Sequence, residues 1–503
     1  MNLSNLKDRL TGKVTRANGK QGNAANVLSF DLLYQLSFMS VIASAGVPRN
    51  LIFERSAQTP CASSEYFRKV ELACLRLKYD YAKACRVVGE SAKEEEIKGL
   101  LLRFSSALLS GEPEADFLVR EAEAQAEAYN NEYGRKLEAL KLWTDAYVSL
   151  ILSAVLVIIV GVVSTMVWKI EMSFILGLVA ISIVTNTVGV WLIYVMAPRE
   201  VMVLGWAGSK EQKLAQRMFR LAVPVIIIIC AGIGLAGGNL GVMLILVAAT
   251  VFPIGLVAMI DDKKVAKRDS EVGTFLRSLG GVAAAIGTTI KDALGRIDLD
   301  AINVLRTQVK HLYTRFLSGI RNKLCWEKFI DETGSELAHR TVGMFYDAID
   351  LGGEPEQAGY HASLFANRVS MLRARRKTIT SPFQWLCIAM HTAVVALLIF
   401  ITEVITIFGG LVADAKNAMP SVSGAPSVST FSSFNLAGLE FLHTLVIPLV
   451  IVFTLANAIA PSIADGGSRY KILYNLGITA GISGMALVFL PAVAKLMFSS
   501  IDI

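Results

Sequence analysis

Seven runs of roughly 20 predominantly apolar residues decide what this chain can be, because that length spans the hydrocarbon core of a bilayer and only a helix satisfies its own backbone there. They fall at 146–168, 172–197, 221–238, 240–260, 383–403, 439–460 and 473–494. A hydrophobic fraction of 53% over 503 residues and a mean hydropathy of +0.51 agree. The expected fold class is therefore an all-α polytopic membrane protein with about seven transmembrane helices.

Charge sets the expected topology. The net charge of +7 is placed by position, not spread as a nucleic-acid-binding surface would spread it. The polar blocks before 146 and at 261–382, the segment 198–220 (Arg199, Lys210, Lys213, Arg217, Arg220) and the 461–472 link (Arg469, Lys471) hold nearly all the Lys and Arg. The 169–171 turn, the Gly237-Gly238-Asn239 turn, the Gly/Ser/Pro-rich loop 410–438 and the C-terminus hold almost none. An odd span count with the N-terminus cytoplasmic and the C-terminus extracellular keeps every basic segment inside. The expected location is the cell membrane, multi-pass, with no nucleic acid partner. Residues 1–27 read as a disordered cytoplasmic leader without an apolar core, so no cleaved signal peptide is expected.

Each polar block reads as helical. In residues 28–145, an amphipathic helix at 28–45 is stopped by Gly46 and Pro48, a second is expected at 65–88, and Ser91 with Glu94 fits a capping box opening a third. That third helix ends at Leu109-Ser-Gly-Glu-Pro-Glu114, which reappears 242 positions later as Leu351-Gly-Gly-Glu-Pro-Glu356. The same offset carries Trp143 onto Trp385 and the apolar run near Ala146 onto the one near Ile388. Two cytoplasmic helical-bundle domains related by internal duplication are expected, at 28–145 and 261–382. They flank four spans at 146–260 and precede three at 383–503. No helix breaker separates Glu114 from Trp143, so 114–142 is expected to run straight into the membrane as a stalk, with 356–382 as its twin.

Little in the chain points to chemistry. No phosphate-binding loop, zinc signature or nucleophile elbow occurs, and Gly232-Ile-Gly-Leu-Ala-Gly237 lies inside a span without the strand-turn-helix context of a dinucleotide site. No enzyme activity, catalytic residue, cofactor or metal is expected. The six Cys form no paired motif and read as free buried thiols. His391 reads as a packed, hydrogen-bonded histidine. Glu403 is the acid inside a long apolar run; an intramembrane carboxylate invites a functional reading, but 383–402 already spans, which places it at the outer interface. The run Asp261, Asp262, Lys263, Lys264, Arg268 and Asp269 reads either as a stop-transfer flank or as a surface that docks a charged partner. Glu112 and Glu354 read as docking acids or as carboxylates favoured at a helix N-terminus.

The order of parts resembles a family. Phe30-Asp-Leu-Leu-Tyr-Gln-Leu-Ser-Phe-Met39, then Leu101-Leu-Arg-Phe-Ser-Ser-Ala107, the Gly111-Glu-Pro113 turn and a stalk entering the membrane at Trp143 are similar to the platform proteins of type II secretion and type IV pilus machines, with two secretion F-type domains. Seven spans bring it nearer the archaeal pilus and archaellum versions. The resemblance implies a non-enzymatic platform whose partners are a cytoplasmic hexameric secretion ATPase, pilin subunits in the bilayer and a second copy in a homodimer. It would make Glu112, Glu354 and the Asp261–Asp269 charges ATPase contacts. The rival reading is a multi-span transporter with cytoplasmic regulatory domains, which needs polar residues lining paired spans.

Overall fold

A computed structural model describes residues 21–167, 172–204, 208–235, 238–418 and 439–499. The leader up to residue 20, the 169–171 turn, most of the 410–438 loop and the last four residues lie outside the described residues. Among those described, every regular element is helical; a single antiparallel bridge joins Val203 and Ser335. In chain order the helices are α1 (Gln21–Ser44), α2 (Arg49–Gln58), α3 (Ser64–Leu77), α4 (Tyr81–Glu90), α5 (Glu95–Ser110), α6 (Glu114–Val167), α7 (Met172–Met196), α8 (Lys210–Leu235), α9 (Leu240–Ile286), α10 (Ile290–Leu294), α11 (Arg306–Leu317), α12 (Asn322–Thr333), α13 (Glu336–Asp350), α14 (Pro355–Ala418), α15 (Leu439–Asp465) and α16 (Ile472–Ser499). Seven of them, α6 to α9 and α14 to α16, are long and apolar enough to cross a bilayer, and the protein is a multi-pass membrane protein.

The chain divides into two compact units. The first gathers Met1–Arg135, Arg199–Ser209 and Lys263–Ala374; the second gathers Lys136–Pro198, Lys210–Asp262 and Arg375–Ile503. Most of each polar block, up to Arg135 and over Lys263–Ala374, thus falls in the first unit.

In the first unit, aromatic side chains at helical spacing make the core. Phe53, Phe104 and Phe117 stack from α2 to α6, with ring centroids 5.4 and 5.0 Å apart, and Tyr81 lies on Phe53 at 4.6 Å. Trp326 meets Phe316, Phe329 and Phe345 edge-on. α1 packs on α13 through Arg340, whose guanidinium lies 5.0 and 4.6 Å from the Phe30 and Tyr34 rings and 3.7 Å from Asp31.

Local chemistry moves several expected boundaries. α1 is already helical at Gln21, the first described residue, seven residues before Leu28. The helix expected at 65–88 is two, because Lys78 turns left-handed (φ 57°) and Asp80 restarts the chain by accepting from the Lys83 N–H at 3.3 Å. Ser91 does not cap the next helix. Its hydroxyl closes the previous one on the Val88 carbonyl at 2.9 Å, and the Glu94 carboxylate is taken by the Tyr66 hydroxyl. The charged run after Ile260 leaves the helix unbroken, since it contains neither Gly nor Pro, and α9 continues to Ile286.

The expected helical continuity is present: α6 is one helix of 54 residues and α14 one of 64, the latter carrying Pro382 inside it. The two Gly-Glu-Pro corners are built differently. At the first, Gly111 is the left-handed residue (φ 75°) and Glu112 returns its N–H to the Ala107 carbonyl at 3.1 Å. At the second, left-handed Gly352 (φ 84°) stands one position earlier in the motif. There Gly353 presses on Ala45, and the Glu354 N–H donates to the Ala45 carbonyl at 2.9 Å.

In the second unit, α9 and α16 touch backbone to backbone. A Cβ at Gly255 would stand 2.0 Å from the Tyr474 nitrogen, one at Gly477 2.8 Å from Phe252 Cα, and one at Gly484 2.7 Å from the Gly241 carbonyl oxygen. Small residues allow this approach where hydrocarbon offers no hydrophobic driving force.

Candidate functional site

The expected contact residues divide by exposure. Glu354, Lys263 and Lys264 are exposed. Glu112 is half-buried and pairs with Arg120 on the first turns of α6. Asp261 is buried and accepts from the Gln212 amide at 2.8 Å, while Asp262 accepts from the Ser468 N–H at 3.1 Å. Arg268 is buried and donates to the Thr333 carbonyl at 2.9 Å, filling the carbonyl end of α12. Asp269 is buried and accepts from the Ser335 hydroxyl at the start of α13. The charged run therefore alternates between solvent and interior, as a continuous helix dictates.

Asp269 belongs to a buried ion cluster in the first unit. Arg373 Nη1 reaches Asp269 at 2.6 Å and Arg373 Nε reaches Glu200 at 2.5 Å; the three side chains are 10%, 4% and 3% exposed. Arg373 also donates to the Val201 carbonyl at 3.4 Å, and the Tyr133 hydroxyl reaches Glu200 at 3.5 Å. Five elements are tied here: α6, the 199–204 segment, α9, α13 and α14. The Leu204 N–H to Gly334 and Glu336 N–H to Met202 bonds hold the same segment on α13. A guanidinium between two carboxylates leaves neither acid uncompensated, which burial requires.

The second unit holds a cluster of its own. Arg376 donates to the Pro198, Ile463 and Ala464 carbonyls at 2.9, 3.1 and 2.9 Å, satisfying the C-terminal carbonyls of α15. Asp465 takes Lys471, Lys377 and the Thr380 hydroxyl. Deeper among the spans runs an uncharged chain. The Tyr147 hydroxyl lies 3.0 Å from both the Asn186 and Asn457 carbonyl oxygens, and Asn457 Nδ2 donates to His391 Nδ1 at 3.2 Å. His391 Nε2 then meets the Thr479 carbonyl and the Ser483 hydroxyl at 3.1 and 3.0 Å. With Nδ1 accepting, Nε2 carries the hydrogen and the ring is neutral. His391 is the hydrogen-bonded histidine expected. Glu403 is not at an exposed edge: α14 continues past it to Ala418, and the residue is 6% exposed.

No group of three or more His, Cys, Asp or Glu among the described residues could hold a metal ion. All six Cys are free, four buried and two half-buried. Burial pushes the Cys85 thiol up to about 12, out of the reactive range. Burial likewise raises Asp31, against the lowering pull of the Ala62 N–H and Arg340. Sequence reasoning missed Glu200 and Arg373 because 173 residues separate them. It missed Asn186, Asn457, Thr479 and Ser483 because it weighed only ionisable residues in the spans.

Two curated proteins are similar to the chain, both named Flagella accessory protein J. The one from Methanocaldococcus jannaschii is 22% identical over 409 residues, 78% of this chain and 71% of that protein. The one from Methanococcus voltae is 21% identical over 443 residues, 84% of this chain and 77% of that protein. No family model and no solved structure matches.

Proposed function

We propose that this chain is the membrane platform of an archaellum or related type IV pilus-like assembly machine. It has no catalytic activity of its own. It docks a cytoplasmic hexameric secretion ATPase through its two polar blocks, and couples that motor's motion to the passage of pilin-like subunits from the bilayer into the filament. Its N-terminus is cytoplasmic and its C-terminus outside. The observation that carries this reading is similarity to the two flagella accessory proteins over more than three quarters of the chain.

The continuity of α6 supports it, because a helix with no interior proline carries an axial displacement along its length; α14 is also one helix, interrupted in its hydrogen bonding only at Pro382. Of the expected motor contacts, Lys263, Lys264 and Glu354 are the ones that lie exposed at the surface. A subunit moving from lipid to a filament core need not enter water, so the platform is spared the transfer cost of an apolar 20-mer, roughly 10 kcal/mol or more.

The test is deletion and complementation in the native host. Cells lacking the chain should make no filaments, and the tagged full-length protein should co-purify the motor. Unchanged filament numbers after deletion would end the proposal. A four-residue Gly-Ser insertion after Glu127 should leave the protein in the membrane yet stop assembly; intact filaments would remove α6 from the coupling path.

A further inference from the structure

One membrane-spanning helix of the second unit is left open by the others. α8 is held over its first turns, where the Gln212 amide donates to Asp261 at 2.8 Å and the Phe219 and Tyr470 ring centroids lie 5.3 Å apart. From Leu221 to Ile233 none of its residues is buried. Packing therefore fixes which face of the first turns points outward, and gives the apolar length beyond them no protein cover.

That outward face carries a pattern. At about 100° per residue, Lys210, Lys213, Arg217 and Arg220 fall within roughly a quarter-turn of one another, on the side away from Phe219. All four are exposed. No acid shares the face, since Glu211 stands about 100° round from Lys210. Elsewhere in the unit basic side chains are matched differently: Lys377 and Lys471 both meet Asp465. Leu221, Ile228 and Leu235 continue the stripe at seven-residue steps and are 66%, 69% and 91% exposed. Cations at one end of an open apolar strip match the two parts of an acidic phospholipid, a phosphate head and a hydrocarbon length. A free phosphate would use the first part only, and a lipid without net negative charge mainly the second.

We propose that this face of α8 is a binding site for an anionic phospholipid. The headgroup phosphate is held by Arg217 and Arg220, the two cations next to the apolar strip, and Lys210 and Lys213 add attraction from the turns before. One acyl chain lies along Leu221, Ile228 and Leu235. The site has a fixed place on the unit, because the Gln212 and Phe219 contacts hold the rotation of the helix. That separates it from a diffuse basic fringe, whose acidic lipids would spread evenly round the spans.

The test uses the full chain in phosphatidylcholine nanodiscs doped with a lipid carrying a photoactivatable acyl chain, either phosphatidylglycerol or phosphatidylcholine. Crosslinks are located by peptide mass spectrometry. The phosphatidylglycerol probe should label residues 221–235 at least about fivefold more than its neutral counterpart, the attraction of one cation near a surface. The exposed Ile181, Val184 and Val188 of α7 should take both probes equally. Lys210→Gln, Lys213→Gln, Arg217→Gln and Arg220→Gln together should bring 221–235 to parity; the four side chains are exposed, so the packing at Gln212 and Phe219 is kept. The charge-preserving set Lys210→Arg, Lys213→Arg, Arg217→Lys and Arg220→Lys should retain most of the preference. Inorganic phosphate should reduce labelling no more than sodium chloride of the same ionic strength does. Equal labelling of 221–235 by the two probes, an equal preference on α7, or a preference that survives the four Gln changes overturns the proposal. Displacement by inorganic phosphate beyond the salt control overturns it as well, by making this a site for the free ion.

Discussion

Arg373→Met should be among the most destabilising single changes in the first unit. The substitution keeps an unbranched stem and removes the guanidinium and its charge, stranding Glu200 and Asp269, which are 3% and 4% exposed. Removing one partner from a buried ion pair costs about 3–5 kcal/mol, because the other remains desolvated without compensation. For a unit of this size each kcal/mol moves the midpoint by about 2–4 °C, so the shift should be roughly 6–20 °C downward. The readout can be specific to the unit, since Cys61, Cys85 and Cys325 are buried in it and Cys387 is buried in the other. Maleimide labelling of each thiol during a temperature ramp, resolved by mass spectrometry, reports where unfolding starts. The three first-unit thiols should become reactive early. The triple variant Arg373→Met, Glu200→Gln, Asp269→Asn should regain most of the loss, because no buried charge remains. A single-variant shift below about 2 °C, or a triple variant no better than the single, would refute the electrostatic account.

Three other changes follow from the same structure. Gly255→Ala should cost about 1–3 kcal/mol, because its Cβ would stand 2.0 Å from the Tyr474 backbone nitrogen; Gly281→Ala on the same helix, with nothing within 4 Å, should be neutral or gain about 0.5–1 kcal/mol. Thermal midpoints of the two variants should move in opposite directions or differ clearly. Burial holds the Asp347 carboxyl up at about 6 against Arg55, with Asp350 adding to the rise. A raised folded pKa contributes stability that is complete below the ordinary value of 3.8 and is lost as pH climbs through 6, so Asp347→Asn should flatten that slope and stabilise at pH 7 by roughly 1–3 kcal/mol. An unchanged pH profile would contradict it. Asn457→Leu removes the link between Tyr147 and His391 and should cost about 1 kcal/mol and no more than about 2, measured by unfolding in mixed micelles.

Much of the fold was legible because bilayer length and helical continuity are local properties. The second span was expected at 172–197 and a helix runs over Met172–Met196, and the run from Glu114 through Trp143 was read as one helix for want of a breaker. What stayed hidden depends on distant partners. Asp269 looked like a surface acid because its neighbours Lys267 and Ser270 are polar; only the fold brings Ser335 and Arg373 onto it. Ser91 and Glu94 had capping-box spacing, yet Tyr66, 28 residues from Glu94, took the carboxylate first. The two Gly-Glu-Pro corners match in letters and differ in which glycine turns left-handed, because Ala45 meets the second corner and Ala107 the first.

The spans themselves need a source of specificity that hydrophobicity does not give, since one Leu-rich face is as apolar as another in lipid. Two devices in the second unit supply it. Gly241, Gly255, Gly477 and Gly484 let α9 and α16 meet in one register only, because a one-residue slide would drive side chains into the backbone opposite. Tyr147, Asn186, Asn457, His391, Thr479 and Ser483 then fix α6, α7, α14, α15 and α16 by bonds whose directions are set by a neutral imidazole. Each bond is modest, but a wrong register would leave several polar groups bare in hydrocarbon at once, and that cost selects the native arrangement. Exposed apolar positions such as Val160, Ile181 and Ile228 should therefore accept other aliphatic residues freely. Substitutions at the four glycines and the six polar residues should not be exchangeable in the same way. A scan in which both sets tolerated change equally would show that span order is set elsewhere.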